Sequence, residues 1–265
     1  MISEFEARRQ IVEVGRRLWQ RGYVAANDGN LSVRLPDGRI VITPTGVSKG
    51  FLTAEMLVLV SDRGVRLGGR LEPTSEIRMH LFAYARRPDV RAVVHAHPPK
   101  ATGFSAAGVP LAQCVLPEVV LSLGDVPTAP YATPSTEEVA SSIERFIDGY
   151  NAMLLKRHGV LTLGADIFEA YWRMETVEHV ADIALVAKLL GGASPLSSEE
   201  VRKLLKVREK LGIRATASCV ACGNCPVATP ARPSSGDGGP GGPTGQDPGI
   251  VDEVVRRVSE RLRTG

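Results

Sequence analysis

The chain is short of the features that mark several common protein classes. It has four cysteines among 265 residues, and three of these fall within residues 219–225. That is not the spread of a disulfide framework, and it points to a reducing, cytoplasmic compartment. No apolar run approaches the ~18 residues that a membrane span requires. The opening MISEFEARRQ lacks the apolar centre of a secretory signal. Charge of one sign is also scarce. The formal net charge is +3 with 23% charged residues, an excess too small for a nucleic-acid or membrane-surface partner but suited to anionic small molecules.

What is present is enough apolar content, 43%, to bury a full core as one large domain with additions. Residues 1–213 read as that body. An early helical pattern puts Phe5, Ile11, Val12, Leu18 and Trp19 on roughly one face. Short β-like runs follow (LSVRL, RIVIT, MLVLV, RAVVHAH, AMLLKRHG and VLTLG), separated by Gly, Pro and Asp turns. Helical stretches are expected at about 74–86, 135–148, 166–191 and 197–211, with Thr136 and Ser197 as helix starts followed by acidic first turns. The first strands are close enough for hairpins. A mixed or antiparallel sheet covered by helices is therefore expected rather than a doubly wound one.

Two of the five histidines, His95 and His97, end an apolar run in RAVVHAHPP. Residues two apart on a strand project from the same side, so both imidazoles can meet one ion. His158, in LLKRHGVL, follows another short strand and would complete a three-histidine site with a position left for substrate. His80 and His179 lie inside helical patterns and read as surface or hydrogen-bonded core histidines.

Two clusters precede the paired histidines. The loops DGNLSVR and ITPTGVSKG offer the amide of Asn30, the hydroxyls of Thr43, Thr45 and Ser48, the backbone of Gly46 and the cation Lys49. In EPTSE, Thr74 and Ser75 present hydroxyls where a helix begins with unpaired N–H groups, a natural anion site, and Glu76 follows at once.

In order, GNLSVR, ITPTG, PTSE, VVHAHPP and RHGVLTLG resemble the signature series of the class II aldolase/adducin family, over about residues 5–212. That family includes L-fuculose-phosphate and L-rhamnulose-phosphate aldolases and L-ribulose-5-phosphate 4-epimerase. The resemblance implies an α/β fold of three α/β/α layers around a mixed, largely antiparallel sheet. It implies zinc, or another divalent metal, on His95, His97 and His158, with Glu76 as a further metal contact and as the acid/base. Asn30, Thr45, Gly46, Thr74 and Ser75 match the groups that hold the substrate phosphate. The implied reaction is cleavage of L-fuculose or L-rhamnulose 1-phosphate to dihydroxyacetone phosphate and L-lactaldehyde, by a homotetramer with active sites between subunits. A 4-epimerase and a sugar-phosphate dehydratase are the enzymatic alternatives, and a metal-free binding module the non-enzymatic one. Fuculose-phosphate aldolases place a tyrosine after the paired histidines, donated by a neighbouring subunit near the aldehyde. The matching stretch here offers Cys114 or its neighbours, and no tyrosine follows Tyr171. Glu118 in that stretch is either a replacement acid or a glutamate without a role.

The remainder changes character. Residues 214–248 contain CVACGNC, whose Cys219, Cys222 and Cys225 have thiolate-ligand spacing but are one thiol short of a tetrahedral site. The cluster needs a fourth ligand from Cys114 or another subunit, or is simply a reduced cysteine group. In residues 226–248, twelve of 23 are Gly or Pro, the composition of a linker. Residues 249–265 carry Ile250, Val251, Val254, Val255, Val258 and Leu262 at helical spacing. A helix this short wants a partner for its stripe. Linker and helix together resemble the encapsulation peptides that direct enzymes to the shell proteins of bacterial microcompartments, placing the enzyme in the lumen. Oligomerisation or docking on another protein are the alternatives.

Overall fold

A computed structural model of the chain describes residues 2–111, 115–192 and 194–212. Cys114, the CVACGNC cluster, the Gly/Pro-rich stretch and the terminal amphipathic segment lie outside the described residues. The described chain forms one sheet of eight strands: β1 (Asn30–Arg34), β2 (Ile40–Ile42), β3 (Val58–Val60), β4 (Arg66–Gly68), β5 (Ala92–Ala96), β6 (Thr128–Ala129), β7 (Ala152–Leu155) and β8 (Gly159–Gly164). Their spatial order is β4-β3-β2-β1-β5-β8-β7-β6. Every pairing is antiparallel except β6 with β7. The helices are α1 (Glu4–Gln20), α2 (Ile77–Arg86), α3 (Pro99–Ala107), α4 (Glu138–Ile147), α5 (Ile167–Leu189) and α6 (Ser198–Lys210), with a single π-turn at Val119–Leu123.

Alternation along the strands sorts the side chains into two cores. Leu31, Val33, Ala92, Val94, Ala96 and Val160 face one side, where they meet buried residues of α1, α3 and α5. Ile40, Ile42, Val93, Leu161 and Leu163 face the other, against Met79 and Ala83 of α2 and Val139, Ile143 and Ile147 of α4. The expected three-layer α/β/α fold with a mixed, largely antiparallel sheet is thus the one observed. Among the described residues no helix is long and apolar enough to cross a membrane.

Several local expectations are corrected. The buried face of α1 is Ala7, Ile11, Val14 and Leu18. Phe5 and Trp19 lie outside it, and Trp19 packs edge-on against Phe51 with ring centroids 5.5 Å apart. Helix α2 begins at Ile77 rather than near residue 74, because Pro73 pairs across a β-bridge with Pro44 and holds the preceding segment extended. Helix α4 starts at Glu138, two residues beyond Thr136. Ser197 does cap α6, in a capping box with Glu200. Helix α3 is not announced by the sequence, since its nine residues carry no one-sided apolar pattern.

Candidate active site

Three local structures bring the histidines together. His95 is the fourth residue of β5, and it sits opposite Asn30 of β1 in the antiparallel register. His97 lies two residues on, just past the strand end, where its N–H donates to Tyr23 O. His158 occupies the tight turn joining β7 to β8, where Arg157 takes a left-handed φ of 59°. Ser105 of α3 pins that turn: its Oγ accepts from Arg157 N at 2.7 Å and donates to Leu155 O at 2.8 Å. Gly159 follows because nothing larger fits. A Cβ there would stand 2.5 Å from Ala96 O, 2.6 Å from His97 Cδ2 and 3.1 Å from His95 Cε1.

The three rings meet mutually at centroid distances of 4.7–5.0 Å. One nitrogen from each lies within 4.8 Å of the others. His95 Nδ1 faces Val160 O at 2.9 Å and must carry the hydrogen, which leaves the Nε2 lone pair free. That lone pair faces His97 Nε2 at 3.0 Å and Glu76 Oε2 at 3.4 Å. His97 turns its Nδ1 to Asp28, 3.4 Å away, and His158 Nε2 lies 3.4 Å from Glu76 Oε1. Burial and the neighbouring imidazoles hold His95 well below the usual histidine range, and burial lowers His158 as well, so both rings are neutral.

This donor set fits a divalent cation. Imidazole nitrogens and a carboxylate converge, and Glu76 Oε1 is buried with no hydrogen-bond donor. A buried carboxylate oxygen without a donor is costly unless a positive charge satisfies it.

Beside the histidines, Thr45, Gly46, Thr74, Ser75, Asn30 and Glu76 share one pocket of about 190 Å³. Two backbone bonds join its halves, Thr45 N to Glu72 O and Thr74 N to Thr43 O, both 3.0 Å. Lys49 also lines it but is not a free cation: its Nζ donates to Asn27 O and Val47 O at 2.7 Å each. Burial pushes this amine down to about 8. Pro134 and Ser135, which the sequence does not mark, complete the rim; Ser135 Oγ donates to Ser75 Oγ at 2.8 Å. No periodicity signals an exposed loop that touches the site only in three dimensions. Glu118 is not brought to this pocket. It lines a separate cleft of about 580 Å³ with Arg21, Tyr23, Lys100 and His179.

A family model described as the class II aldolase and adducin N-terminal domain matches residues 9–185. The chain belongs to that family. It is similar to an L-fuculose phosphate aldolase of Methanococcus maripaludis, 37% identical over 175 residues, which are 66% of this chain and 93% of the relative. It is also similar to a 3-oxo-tetronate 4-phosphate decarboxylase of Pectobacterium atrosepticum, 34% identical over 188 residues, 69% of this chain and 86% of that one. Among solved structures, the L-fuculose-1-phosphate aldolase from Thermus thermophilus superposes with a TM-score of 0.62 at 32% identity, covering 72% of this chain and 98% of its own. This member is a carbon–carbon lyase of the class II aldolase type, a class that depends on a divalent metal and acts on phosphorylated sugars.

Proposed function

We propose that the chain is a zinc-dependent aldolase that cleaves a deoxyketose 1-phosphate, L-fuculose or L-rhamnulose 1-phosphate, to dihydroxyacetone phosphate and L-lactaldehyde. The observation that carries this reading is the donorless, buried oxygen of Glu76 beside a cluster of three histidines and a hydroxyl-lined pocket. His95, His97, His158 and Glu76 would hold the metal. When bound it supplies a fixed positive charge for the ketone and hydroxyl oxygens of the substrate. Asn30, Thr45, Gly46, Thr74 and Ser75 bind the phosphate through hydroxyls and N–H groups, and the Asn30 side chain also donates to Glu76. The bond between C3 and C4 breaks as the C4 hydroxyl gives its proton to the Glu76 carboxylate, leaving the aldehyde. The electron pair stays on the dihydroxyacetone phosphate half as an enediolate, and Glu76 delivers the proton to its carbon.

A second reading, decarboxylation of a 3-oxo-tetronate 4-phosphate, is favoured by the absence of tyrosine beyond Tyr171 and by the similar decarboxylase. Loss of carbon dioxide from such a substrate leaves the same enediolate, and the departing fragment needs no acid or base beside it. Both readings use the same half of the site. Offering the purified protein L-fuculose 1-phosphate, L-rhamnulose 1-phosphate, L-ribulose 5-phosphate and 3-oxo-tetronate 4-phosphate separates them. Triose phosphate with lactaldehyde supports the aldolase, triose phosphate with carbon dioxide supports the decarboxylase, and an epimer without cleavage overturns both.

Residues 1–213 act as the catalytic unit in this proposal, assembled as a homotetramer in the cytoplasm. Residues 214–248 serve as a spacer and 249–265 as a peptide for a microcompartment shell protein, whose lumen would retain the aldehyde. Support comes from composition alone: a Gly/Pro-rich stretch followed by a one-sided apolar stripe. A reporter fused to residues 226–265 should gather at the shell in a host that makes one; a diffuse signal there rejects the targeting role.

A further inference from the structure

Glu76, the residue that caps the start of α2, and His80 and Tyr84 on its sheet-facing side follow one another at four-residue intervals, and β1 opposite carries Asn30 and Ser32 two residues apart. These spacings put each set on one side of its element. The two stripes close into a continuous chain of hydrogen bonds. Tyr84 Oη and Ser32 Oγ are 2.7 Å apart, Ser32 Oγ and His80 Nδ1 2.7 Å, His80 Nε2 and Asn30 Oδ1 2.5 Å, and Asn30 Nδ2 and Glu76 Oε2 2.8 Å. His80 and Ser32 are fully buried, and Asn30 and Tyr84 nearly so.

Chemistry at one end fixes the direction of every bond. A carboxylate can only accept, so Asn30 must turn its NH₂ to Glu76 and its carbonyl oxygen to His80. His80 Nε2 then carries the ring hydrogen, and Nδ1 accepts from the Ser32 hydroxyl. The Ser32 oxygen in turn accepts from Tyr84. Every donor along the chain points toward Glu76, an order in which successive bonds polarise and strengthen one another. Burial pushes His80 down to about 4, so the ring stays neutral and keeps one acceptor nitrogen near neutral pH.

We infer that His80, with Ser32 and Tyr84 behind it, is a positioning residue of the reaction: through Asn30 it fixes which oxygen of Glu76 is held and which is left free. Glu76 Oε2 is occupied by Asn30, whereas Oε1 has no donor and looks toward His158. The chain thereby assigns the two oxygens different tasks, and the side chain of Asn30 serves the carboxylate. This inference rests on the proposed role of Glu76 as the acid/base.

The proton step can be followed without the aldehyde, as exchange of solvent deuterium into dihydroxyacetone phosphate by the metal-loaded enzyme. His80→Phe should slow exchange by about tenfold to a hundredfold, the range found when partners that orient a metal-site ligand are removed. Metal content and KM should be unchanged. Tyr84→Phe, which loses only a hydroxyl and keeps its ring, should slow exchange less. His80→Gln can present an acceptor and a donor at similar spacing and should recover much of the rate. Nitrogen NMR of histidine-labelled, metal-free protein should show His80, assigned by its disappearance in His80→Gln, as the neutral tautomer with hydrogen on Nε2. Exchange that survives Glu76→Gln overturns the acid/base reading. Exchange lost in Glu76→Gln but unchanged in folded Tyr84→Phe and His80→Phe overturns this inference alone, as does hydrogen on Nδ1 of His80.

Discussion

At the scale of single residues, burial of ionisable groups on the sheet face under α2 governs the response to acid. His80 is fully buried, and its folded-state value near 4 lies below the ordinary 6.5. Between those values the unfolded chain binds a proton that the folded chain refuses, so stability falls as pH drops from 6.5 toward 4. The loss from this group is on the order of 3 kcal/mol. Urea unfolding of metal-free protein across that range should show a steep fall for the parent and a shallower one for His80→Gln. Equal slopes would mean that His80 is not held neutral. Part of this is legible in the sequence. The bland reading of His80 as a satisfied core histidine is correct as far as packing goes. Its link to Glu76 is also written in the spacing Glu76, His80, Tyr84, but a polar stripe gains meaning only when Asn30 and Ser32 are known to lie opposite it.

At the scale of elements, β1, β5 and β8 are legible as short, largely apolar runs because those strands are buried on both faces and bounded by turns. Two-residue β6 and three-residue β4 are not: β6 is too short to show any run, and β4 is largely exposed, so no apolar run marks it. The bridge between Pro44 and Pro73 carries no local signal either, and it decides where α2 begins and thus where Glu76 stands. The turn from β7 to β8 gives the sharpest element-level expectation. Gly159→Ala places a methyl against Ala96 O and the rings of His95 and His97. Metal affinity should fall by about tenfold or more, because the imidazoles must leave their mutual geometry. Zinc titration against a competing chelator would measure it; unchanged affinity would mean that the turn relaxes without moving the rings.

At the scale of the whole molecule, Glu76, the three clustered histidines and the residues of the phosphate cradle all lie within the described layers. A chain ending at residue 213 should therefore keep the kcat and thermal midpoint of the full chain, measured side by side. A large loss of either would show that the C-terminal segment supports the enzyme directly. The family is legible because its motifs fall on the turns and strand ends that build the pocket, where the backbone admits few residue types. The substrate is not, because the tyrosine that the resemblance leads one to expect on the aldehyde side has no counterpart in the stretch around Cys114, and residues 112–114 lie outside the described residues.

The order of strands at the centre of the sheet has one more consequence. The start of α2, the end of β5 and the turn before β8 are far apart along the chain yet lie side by side, so a cation gripped by Glu76, His95, His97 and His158 would cross-link them. Such a staple acts on the folded chain alone. At about a hundredfold excess over its dissociation constant it adds about 2.7 kcal/mol to the unfolding free energy by mass action. The melting temperature should climb with the logarithm of free metal, and a chelator should lower it before any loss of secondary structure at room temperature. The ion that serves the chemistry would then also be a fastener whose availability sets how long the protein survives heat.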